Sequence, residues 1–262
     1  MSITDPSDIS GLIHRWRPYA GAWQDAAGTI AAGVGDPIGR LDDLLGAANA
    51  SQANTLKKPT LREDANGWRY ADSDGVDDVL AGSMPTIGSN WSIAMVFRFS
   101  SVAASRQYLA SLGPVGASRI YGFLLGTNSN RFRVNVSDGA TYAEASMTSL
   151  TPAVDTLYAL VATHTAGGQL TLNINGTRQT TAGLASTYAA TDLYIGGSLS
   201  ETASWDSGNS EILDFMIFDN AIGLSAETDL RTYLSALYSS PPPAAGISPA
   251  IIRHRLQMMG AY

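Results

Sequence analysis

The sequence predicts an all-β protein: an antiparallel jelly-roll β-sandwich with a short C-terminal helix and an extended C-terminal tail. Three observations predict it. Short segments of alternating hydrophobicity run from about Trp68 to Asp219, turn residues fill nearly every gap between them, and only one segment has a strong helical pattern. The chain has 262 residues, of which 45% are hydrophobic, so it can bury a large core without cross-links.

The clearest strand runs from Trp91 to Phe99. Side chains alternate along a strand, so its larger residues share one face: Trp91, Ile93, Met95, Phe97 and Phe99. Eight further segments have the length and composition of strands: Gln107–Leu112, Ile120–Leu125, Arg131–Val136, Tyr142–Met147, Leu157–His164, Leu170–Ile174, Asp192–Ile195 and Ile212–Phe218. Dipeptides such as Asn175-Gly176 between them are typical of tight hairpins.

One helix is predicted after Ser225, a residue suited to cap it. Its apolar residues recur at helical spacing: Leu230, Tyr233, Leu234, Leu237 and Tyr238. A shorter helical turn is expected to begin with Asp5 as the cap and Pro6 at the first position. The predicted organisation is a sandwich over residues 1–238, a proline-rich linker over 239–249 and a tail over 250–262.

Composition excludes several classes of function. The net charge of −7 repels nucleic acid, and no apolar run approaches the roughly 20 residues that span a bilayer. The chain has no cysteine, which excludes disulfides and thiolate metal sites. The polar, acidic N-terminus has no features of a secretory signal, so we expect synthesis in a cytoplasm without export by that route.

Three stretches, taken in order, resemble the concanavalin-A-like or laminin-G-like domains of phage and bacterial surface proteins. The first comprises Gly11-Leu12, Trp16, Arg40–Gly46, Gln52 and Pro59-Thr60, with Leu41 and Leu45 where the family pattern has Trp and Ser. The second is Asp74–Leu80. The third comprises Leu157–Ala162, Gly168–Gly176, Leu193–Gly197 and Ile212–Asp219, leading into Leu224-Ser225. The resemblance implies a jelly roll, a fold that hosts lectins, glycosidases, adhesion modules and virion parts.

Catalysis is not expected. The enzymatic branch of this superfamily carries Glu-x-Asp-x-x-Glu on one strand, which places two carboxylates on the same face. Here Glu211 and Asp214 are three residues apart, so alternation predicts opposite faces, and no second glutamate follows. We interpret Asp214 as an edge or calcium-side residue. The three histidines (His14, His164 and His254) lie far apart in the sequence, and no hydrolase motif occurs.

An acidic turn offers the oxygen ligands that calcium prefers. Asp74, Asp77 and Asp78 are the candidate ligands, with Asp72 just before them. The alternative is a solvated turn in which the aspartates bond their own backbone, and no other cofactor is expected.

The predicted loop Ser198–Asn209 contains a candidate glycan-binding set. Trp205 stands beside Asp206 and near Asn209, and an indole among hydrogen-bonding groups can stack on a sugar. Alternatively, Trp205 folds back as a minor core. Tyr142 and Tyr188 are further candidates of the same kind, whereas Trp16, Trp68 and Trp91 are predicted to be core.

The C-terminal tail is apolar and basic on an acidic protein. We interpret it as a docking peptide for a partner with an acidic-rimmed groove, against the alternative of a frayed terminus. The residues expected to dock are Ile251, Ile252, Arg253, Arg255, Leu256, Met258, Met259 and Tyr262.

These features lead to three function hypotheses. The first is a non-enzymatic virion component of a bacterial virus, such as a capsid decoration, spike or tail fibre, that docks on other virion proteins and binds host-surface glycans. The second is a lectin-like module on a bacterial surface, and the third is a glycoside hydrolase. The phage setting depends on the resemblance alone. A homo-oligomer is compatible with all three.

Overall fold

The computed structural model describes residues 3–46, 48–83, 87–102, 107–112, 122–128, 131–137, 141–184, 192–199, 205–207 and 209–242. The strands, in chain order, are β1 (Leu12–Trp16), β2 (Ala22–Trp23), β3 (Arg40–Leu41), β4 (Ala50–Ser51), β5 (Thr60–Glu63), β6 (Arg69–Asp72), β7 (Leu80–Ser83), β8 (Trp91–Phe99), β9 (Gln107–Leu112), β10 (Gly122–Asn128), β11 (Arg131–Ser137), β12 (Tyr142–Met147), β13 (Tyr158–Thr165), β14 (Gln169–Ile174), β15 (Thr177–Ala182), β16 (Asp192–Ile195), β17 (Gly197–Leu199), β18 (Trp205–Ser207) and β19 (Ser210–Phe218). Two α-helices, α1 (Pro18–Gly21) and α2 (Leu224–Tyr238), and two short 3₁₀ turns, Pro6–Asp8 and Thr55–Lys57, complete the described elements.

The strands form two antiparallel sheets. The first sheet has the order β15-β14-β13-β8-β19-β6-β5, with β1 also paired to β19. The second has the order β12-β11-β10-β9-β16-β7-β4-β3-β2, and β17 and β18 form a separate hairpin. Neighbours in each sheet are often distant in sequence, as in a jelly roll, which confirms the predicted fold class.

The core between the sheets is built from the alternation that the sequence shows. All five inward residues predicted for β8 lie in one buried cluster with residues of the second sheet. Phe97, Phe132 and Tyr158 bring their rings together there, with centroids 4.8 Å apart for Phe132 and Tyr158. Trp16, Trp68 and Trp91 are at most 1% exposed, which confirms their prediction as core residues.

A second buried cluster lies on the outer face of the first sheet. Helix α2 places Leu230, Leu234 and Tyr238 there, against Val96 of β8 and Met216 of β19. The first sheet is therefore buried on both faces. Its central strands are correspondingly rich in large apolar residues.

The predicted start of α2 was wrong by two residues. Gly223 is the N-cap, with extended backbone, and its carbonyl accepts from the Glu227 N–H. Leu224 is already helical, so Ser225 lies inside the first turn and does not cap the helix. The N-terminal turn is as predicted, because the Asp5 side chain accepts from the Ser7 N–H at 2.9 Å and Pro6 is the first helical residue.

The described chain ends against the first sheet. The indole Nε1 of Trp68 donates to the Ser240 carbonyl, and Pro242 lies beside Gly67. The first residues of the predicted linker thus pack on the sandwich. The predicted docking tail, residues 250–262, lies outside the described residues.

Candidate functional site

One end of the sandwich gathers residues that are far apart in the sequence. The Ser73 N–H donates to the Ser210 carbonyl at 3.0 Å, which joins the turn after β6 to the start of β19. The Ser100 N–H donates to the Asn209 carbonyl at 3.2 Å. We call Ser73–Asp78, Asn209 and Ser210 the rim.

The acidic turn of the rim brings the three candidate calcium ligands together. One carboxylate oxygen each from Asp74, Asp77 and Asp78 lies within 4.8 Å of the other two. The pKa of the Asp78 carboxyl is raised to about 6, mainly by burial. The negative charges of Asp74, Asp77 and Asp72 raise it further. A cation at this point would relieve that repulsion, and the ligands are of the kind that calcium takes.

The same turn also has the bonds that the alternative interpretation predicts. The Asp74 carboxylate accepts from the Val76 N–H at 2.8 Å, and the Asp74 N–H donates to Asp78 at 3.0 Å. Lys57 lies 3.4 Å from the Asp77 carboxylate and supplies part of the countercharge. The structure therefore fits both interpretations of the turn, and calcium binding stays a prediction.

Both ends of the β17–β18 hairpin pack against this turn. Gly75 has a φ of 77°, and a Cβ there would overlap the Asn209 carboxamide. Gly196, with a φ of 90°, approaches so closely that a Cβ would lie 2.9 Å from Ser73 Oγ and 3.4 Å from the Asp78 carbonyl oxygen. These two glycines allow the backbone contacts that fix the hairpin to the rim.

Among the predicted glycan-binding residues, Asn209 lies against the turn that carries the predicted calcium ligands. Trp205 and Asp206 form part of β18, where the sequence predicted a loop, and Asn209 follows directly. The side chains of Trp205 and Asp206, and all of Tyr188, lie outside the described residues. Tyr142 is 62% exposed on β12, at the edge of the second sheet.

The hairpin also lies over the outer face of the second sheet. Ser111 Oγ donates to the Gly197 carbonyl at 3.5 Å, and Tyr194 is the cross-strand neighbour of Ser111. Burial is the first cause that raises the pKa of Tyr194 to about 12, and the charge of Asp192 adds to it. This face is continuous with the rim through the hairpin.

Sequence reasoning missed the polar residues of that outer face. Arg133 lies 3.4 Å from the Glu144 carboxylate and its guanidinium is 5.8 Å from the ring centroid of Tyr108. Both Arg133 and Tyr108 are buried. The alternation of Arg131, Arg133 and Asn135 along β11 was the signal that could have placed them on one outward face.

The prediction for Glu211 and Asp214 was wrong. A β-bulge between Ile212 and Asp214 adds Leu213 to the strand, so both carboxylates lie on the outer face of the first sheet. Glu211 pairs with Arg98 at 2.7 Å, and Arg98 lies over the ring of Tyr70 on that face. A bulge shifts the alternation by one residue, which strict counting cannot anticipate.

Asp214 is neither an edge nor a calcium-side residue. It is fully buried under α2, where Arg15 donates to it from Nε at 3.1 Å and Nη2 at 2.6 Å. The Tyr238 hydroxyl donates to the same carboxylate at 2.9 Å. This network joins β1, β19 and the helix and is structural.

Asp72 and Glu211 are a carboxylate pair that sequence reasoning did not find. They are direct cross-strand partners on β6 and β19. Burial is the first cause that raises the pKa of each carboxyl, while Arg62 near Asp72 and Arg98 near Glu211 lower it. Each carboxylate has its own arginine, so the pair is held by ion pairs.

The two described histidines are far apart in the fold as well. His14 Nδ1 lies 2.6 Å from the Asp43 carboxylate, and His164 Nδ1 lies 2.6 Å from the Ser89 carbonyl. His164 also accepts from the Leu184 N–H, and burial lowers its pKa. Both are core groups, and His254 lies outside the described residues.

None of the described helices is long and apolar enough to cross a bilayer.

The sequence matches the profile of a known protein family. The sequence profile of the concanavalin A-like lectin/glucanases superfamily matches residues 73–226. No curated protein matches the sequence.

Solved structures with the same fold share little sequence. The binding domain of botulinum neurotoxin DC in complex with SialylT is 13% identical, with a TM-score of 0.58 over 87% of this chain and 52% of that one. The botulinum neurotoxin serotype D ligand-binding domain in complex with N-acetylneuraminic acid is 13% identical, with a TM-score of 0.57 over 84% and 52%. Trypanosoma rangeli sialidase in complex with the inhibitor DANA is 11% identical, with a TM-score of 0.58 over 92% and 36%. This chain thus spans about half or a third of these proteins.

Proposed function

This chain belongs to the concanavalin A-like lectin/glucanases superfamily, and we propose that it is a non-enzymatic module that binds a cell-surface glycan at its rim. The observation that carries the proposal is the meeting of two sets of polar residues. Gly75 of the acidic turn and Asn209, which follows the hairpin with Trp205 and Asp206, are 134 residues apart in the sequence, yet Asn209 packs on Gly75.

The rim has the chemistry of a sugar site. Carboxylates can accept hydrogen bonds from hydroxyl groups, and the Asn209 amide can both accept and donate them. An indole on the neighbouring hairpin can stack on a pyranose face. Two of the structural neighbours are binding domains in complex with SialylT and with N-acetylneuraminic acid. Sialylated glycans are therefore among the first ligands to test.

The test is binding to a glycan array, followed by titration calorimetry with the best ligand. Trp205→Ala should weaken binding by about tenfold or more, since a stacked aromatic ring contributes on the order of 1 kcal/mol beyond its buried area. Leu224→Ala, which truncates a 58% exposed side chain on α2, is the matched control and should bind as the wild type does. Unchanged affinity in Trp205→Ala would place the site elsewhere.

The part played by the acidic turn is tested in the same titration. If calcium belongs to the site, Asp74, Asp77 and Asp78 would hold it, and chelation should abolish binding that added calcium restores. Asp77→Asn should then need more calcium for the same affinity. If neither chelator nor calcium changes the affinity, the turn binds no calcium at the site. Its aspartates then serve only to bond their own backbone.

We propose that the module does not catalyse glycoside hydrolysis. Glu211 and Asp214 share a face, but Arg98 pairs with the first, and Arg15 and Tyr238 hold the second under α2. A carboxylate in such bonds is neither a free nucleophile nor a ready proton donor. Incubation with β-glucans, galactans or alginate should release no reducing ends, and turnover that Glu211→Gln abolishes would contradict this.

The finer setting that we propose is a virion of a bacterial virus, where the tail docks the module on capsid or tail proteins. The support is the family resemblance together with an apolar, basic tail that follows a proline linker. A chain cut after Pro242 should keep its melting temperature and fail to co-sediment with particles. The contrary outcome is that the truncated chain binds glycans normally and the full-length protein does not co-sediment with any particle. The protein would then be a bacterial surface lectin.

A further inference from the structure

The edge strands of the two sheets are protected to different degrees from pairing with strands of other chains. At β5, the segment before the strand covers the edge, with Gly35 N–H donating to the Leu61 carbonyl at 2.7 Å and Leu61 N–H to Asp36 at 2.8 Å. Strand β2 has only two residues, and Ala32 N–H bonds back to it. Strand β12 carries the charged Glu144 and lies alongside β14 and β15 of the other sheet. These are usual ways to prevent association at an edge.

Strand β15 is less protected, although it carries one charged residue, Arg178, and lies alongside β12. It is a terminal strand of the first sheet, and no other described strand pairs with its far side. All six residues pair with β14 without a bulge, none is proline or lysine, and four are exposed: Arg178, Gln179, Thr180 and Ala182. A regular, threonine-rich edge of this kind is ready to pair with another strand.

The turn before β15 determines which backbone groups are free. Asn175 and Gly176, with φ of 48° and 91°, form a two-residue hairpin turn, so Ile174 and Thr177 are a hydrogen-bonded pair. Bonding alternates from there along an antiparallel ladder. The N–H and C=O groups of Arg178, Thr180 and Ala182 therefore point away from β14.

We propose that two copies of this chain pair through β15, antiparallel, about a two-fold axis at Thr180. Outward-bonding residues must face each other, so Thr180 faces its own copy and Arg178 faces Ala182. This register uses all three outward residues and places no like charges opposite each other. A second copy fits better than the basic tail, whose arginines would meet Arg178, the only charged residue of the strand.

The arrangement has a consequence for binding. The rim lies at the Thr177 end of β15, since β6 ends and β19 begins there. A two-fold axis at Thr180 reverses the strand direction, so the two rims face opposite ways. Such a dimer would bridge two surfaces, whereas paired sites on one side would grip a single surface. The pairing itself does not depend on glycan binding.

The first test is sedimentation velocity of the full chain over a wide concentration range. The wild type should be dimeric at high concentration. Thr180→Pro, which removes the central outward donor, should be monomeric and still melt cooperatively, since that N–H is not used within the monomer. A monomeric wild type at all concentrations, or a dimer that survives Thr180→Pro, would overturn the proposal.

The register is tested by charge at one position. Ala182→Lys should raise the dimer dissociation constant about threefold to tenfold, because it faces Arg178 of the other copy, and Ala182→Glu should lower it by a similar factor. Thr228→Lys and Thr228→Glu, on an exposed position of α2, are the matched controls. For a chain of net charge −7, general repulsion would give the opposite order at residue 182, which would refute this register.

The absence of cysteine allows a second check of register. Gln179 faces Thr181 of the other copy in a closely spaced, non-hydrogen-bonded pair that suits a disulfide. A mixture of Gln179→Cys and Thr181→Cys chains should cross-link under mild oxidation, and Gln179→Cys alone should not. Cross-linking between two Gln179→Cys chains would contradict the proposed pairing. A dimer that dissociates only when the residues after Pro242 are removed would contradict it as well.

Discussion

The outer faces of the two sheets differ in what covers them. On the first sheet, helix α2 and the N-terminal segment bury an apolar layer, and all residues of β8 except Arg98 are buried. On the second sheet, the buried outward residues are polar or aromatic, such as Tyr108, Arg133 and Tyr194, and a short hairpin packs on β9 through the hydrogen bond from Ser111 to Gly197. The outer face of the first sheet therefore stabilises the fold, while the outer face of the second sheet presents hydrogen-bonding groups near the rim.

The two outer faces differ in how much sequence variation they tolerate. A helix packed through large side chains cannot move without exposing its layer, whereas a hairpin fixed by two glycine contacts and a few hydrogen bonds can be rebuilt at smaller cost. Binding sites are expected on the second kind of region. Variants of the two regions test this contrast, and the largest effect is expected at the buried ion pair under α2.

Breaking the buried ion pair should give the largest loss. Asp214→Ala leaves Arg15 and the Tyr238 hydroxyl without their shared acceptor, so the free energy of unfolding should fall by about 3–5 kcal/mol. The matched change on the second sheet is Glu144→Ala, whose partner Arg133 is 3.4 Å away and whose side chain is 32% exposed. It should cost about 1 kcal/mol or less.

Urea denaturation of both variants measures the two losses. Equal losses in the two variants would mean that the first sheet depends on its ion pair no more than the second sheet depends on the pair of Arg133 and Glu144. If Asp214→Ala fails to fold, Asp214→Asn is measured instead. It keeps an acceptor oxygen for Tyr238 and should give an intermediate loss in the free energy of unfolding.

Truncation under the covering helix should come next. Leu234→Ala removes a fully buried side chain between α2 and the sheet, and should lower the free energy of unfolding by about 2–4 kcal/mol. Leu224→Ala on the same helix is the control, because its side chain is 58% exposed and should matter by less than about 0.5 kcal/mol. A small effect of Leu234→Ala would mean that α2 is not an integral layer.

The sequence predicted the strands whose apolar residues form the core and missed strands with polar residues, such as β15 and β1. Tyr142–Met147 and Asp192–Ile195 have the predicted bounds because their alternation is set by the core. Strand β15 is polar on both sides, so no periodicity marks it. Strand β1 places His14 and Arg15 in buried positions, which hydrophobicity cannot reveal.

The site followed the same rule. The residue types of the rim were visible in the sequence, and their convergence was not, because it depends on Gly75 and Gly196 making room for Asn209 and Ser73. The bulge that moved Asp214 to the face of Glu211 is likewise a matter of one inserted residue in a ladder. Long-range contacts of this kind are set by the folded sheets, and no local pattern contains them.

The smallest expected effect is at the rim, and it depends on pH. The pKa of Asp78 is raised to about 6 in the folded chain, above the ordinary value of 3.8, so the folded state holds this proton more tightly than the unfolded state. Its contribution to stability is therefore complete below pH 3.8 and is lost as the pH rises through about 6. Asp78→Asn, which carries no charge at any pH, should match the wild type near pH 3.5 and be more stable at pH 7. The difference should be on the order of 1 kcal/mol, or a few degrees in melting temperature, because solvent at the exposed Asp74 screens the repulsion.

Added calcium should raise the wild-type melting temperature at pH 7 and leave that of Asp78→Asn nearly unchanged if the turn holds the ion. A variant less stable than the wild type at pH 7 in chelator would show that the Asp78 carboxylate stabilises the turn through its bond from the Asp74 N–H, and that the rim is built for structure as the first sheet is.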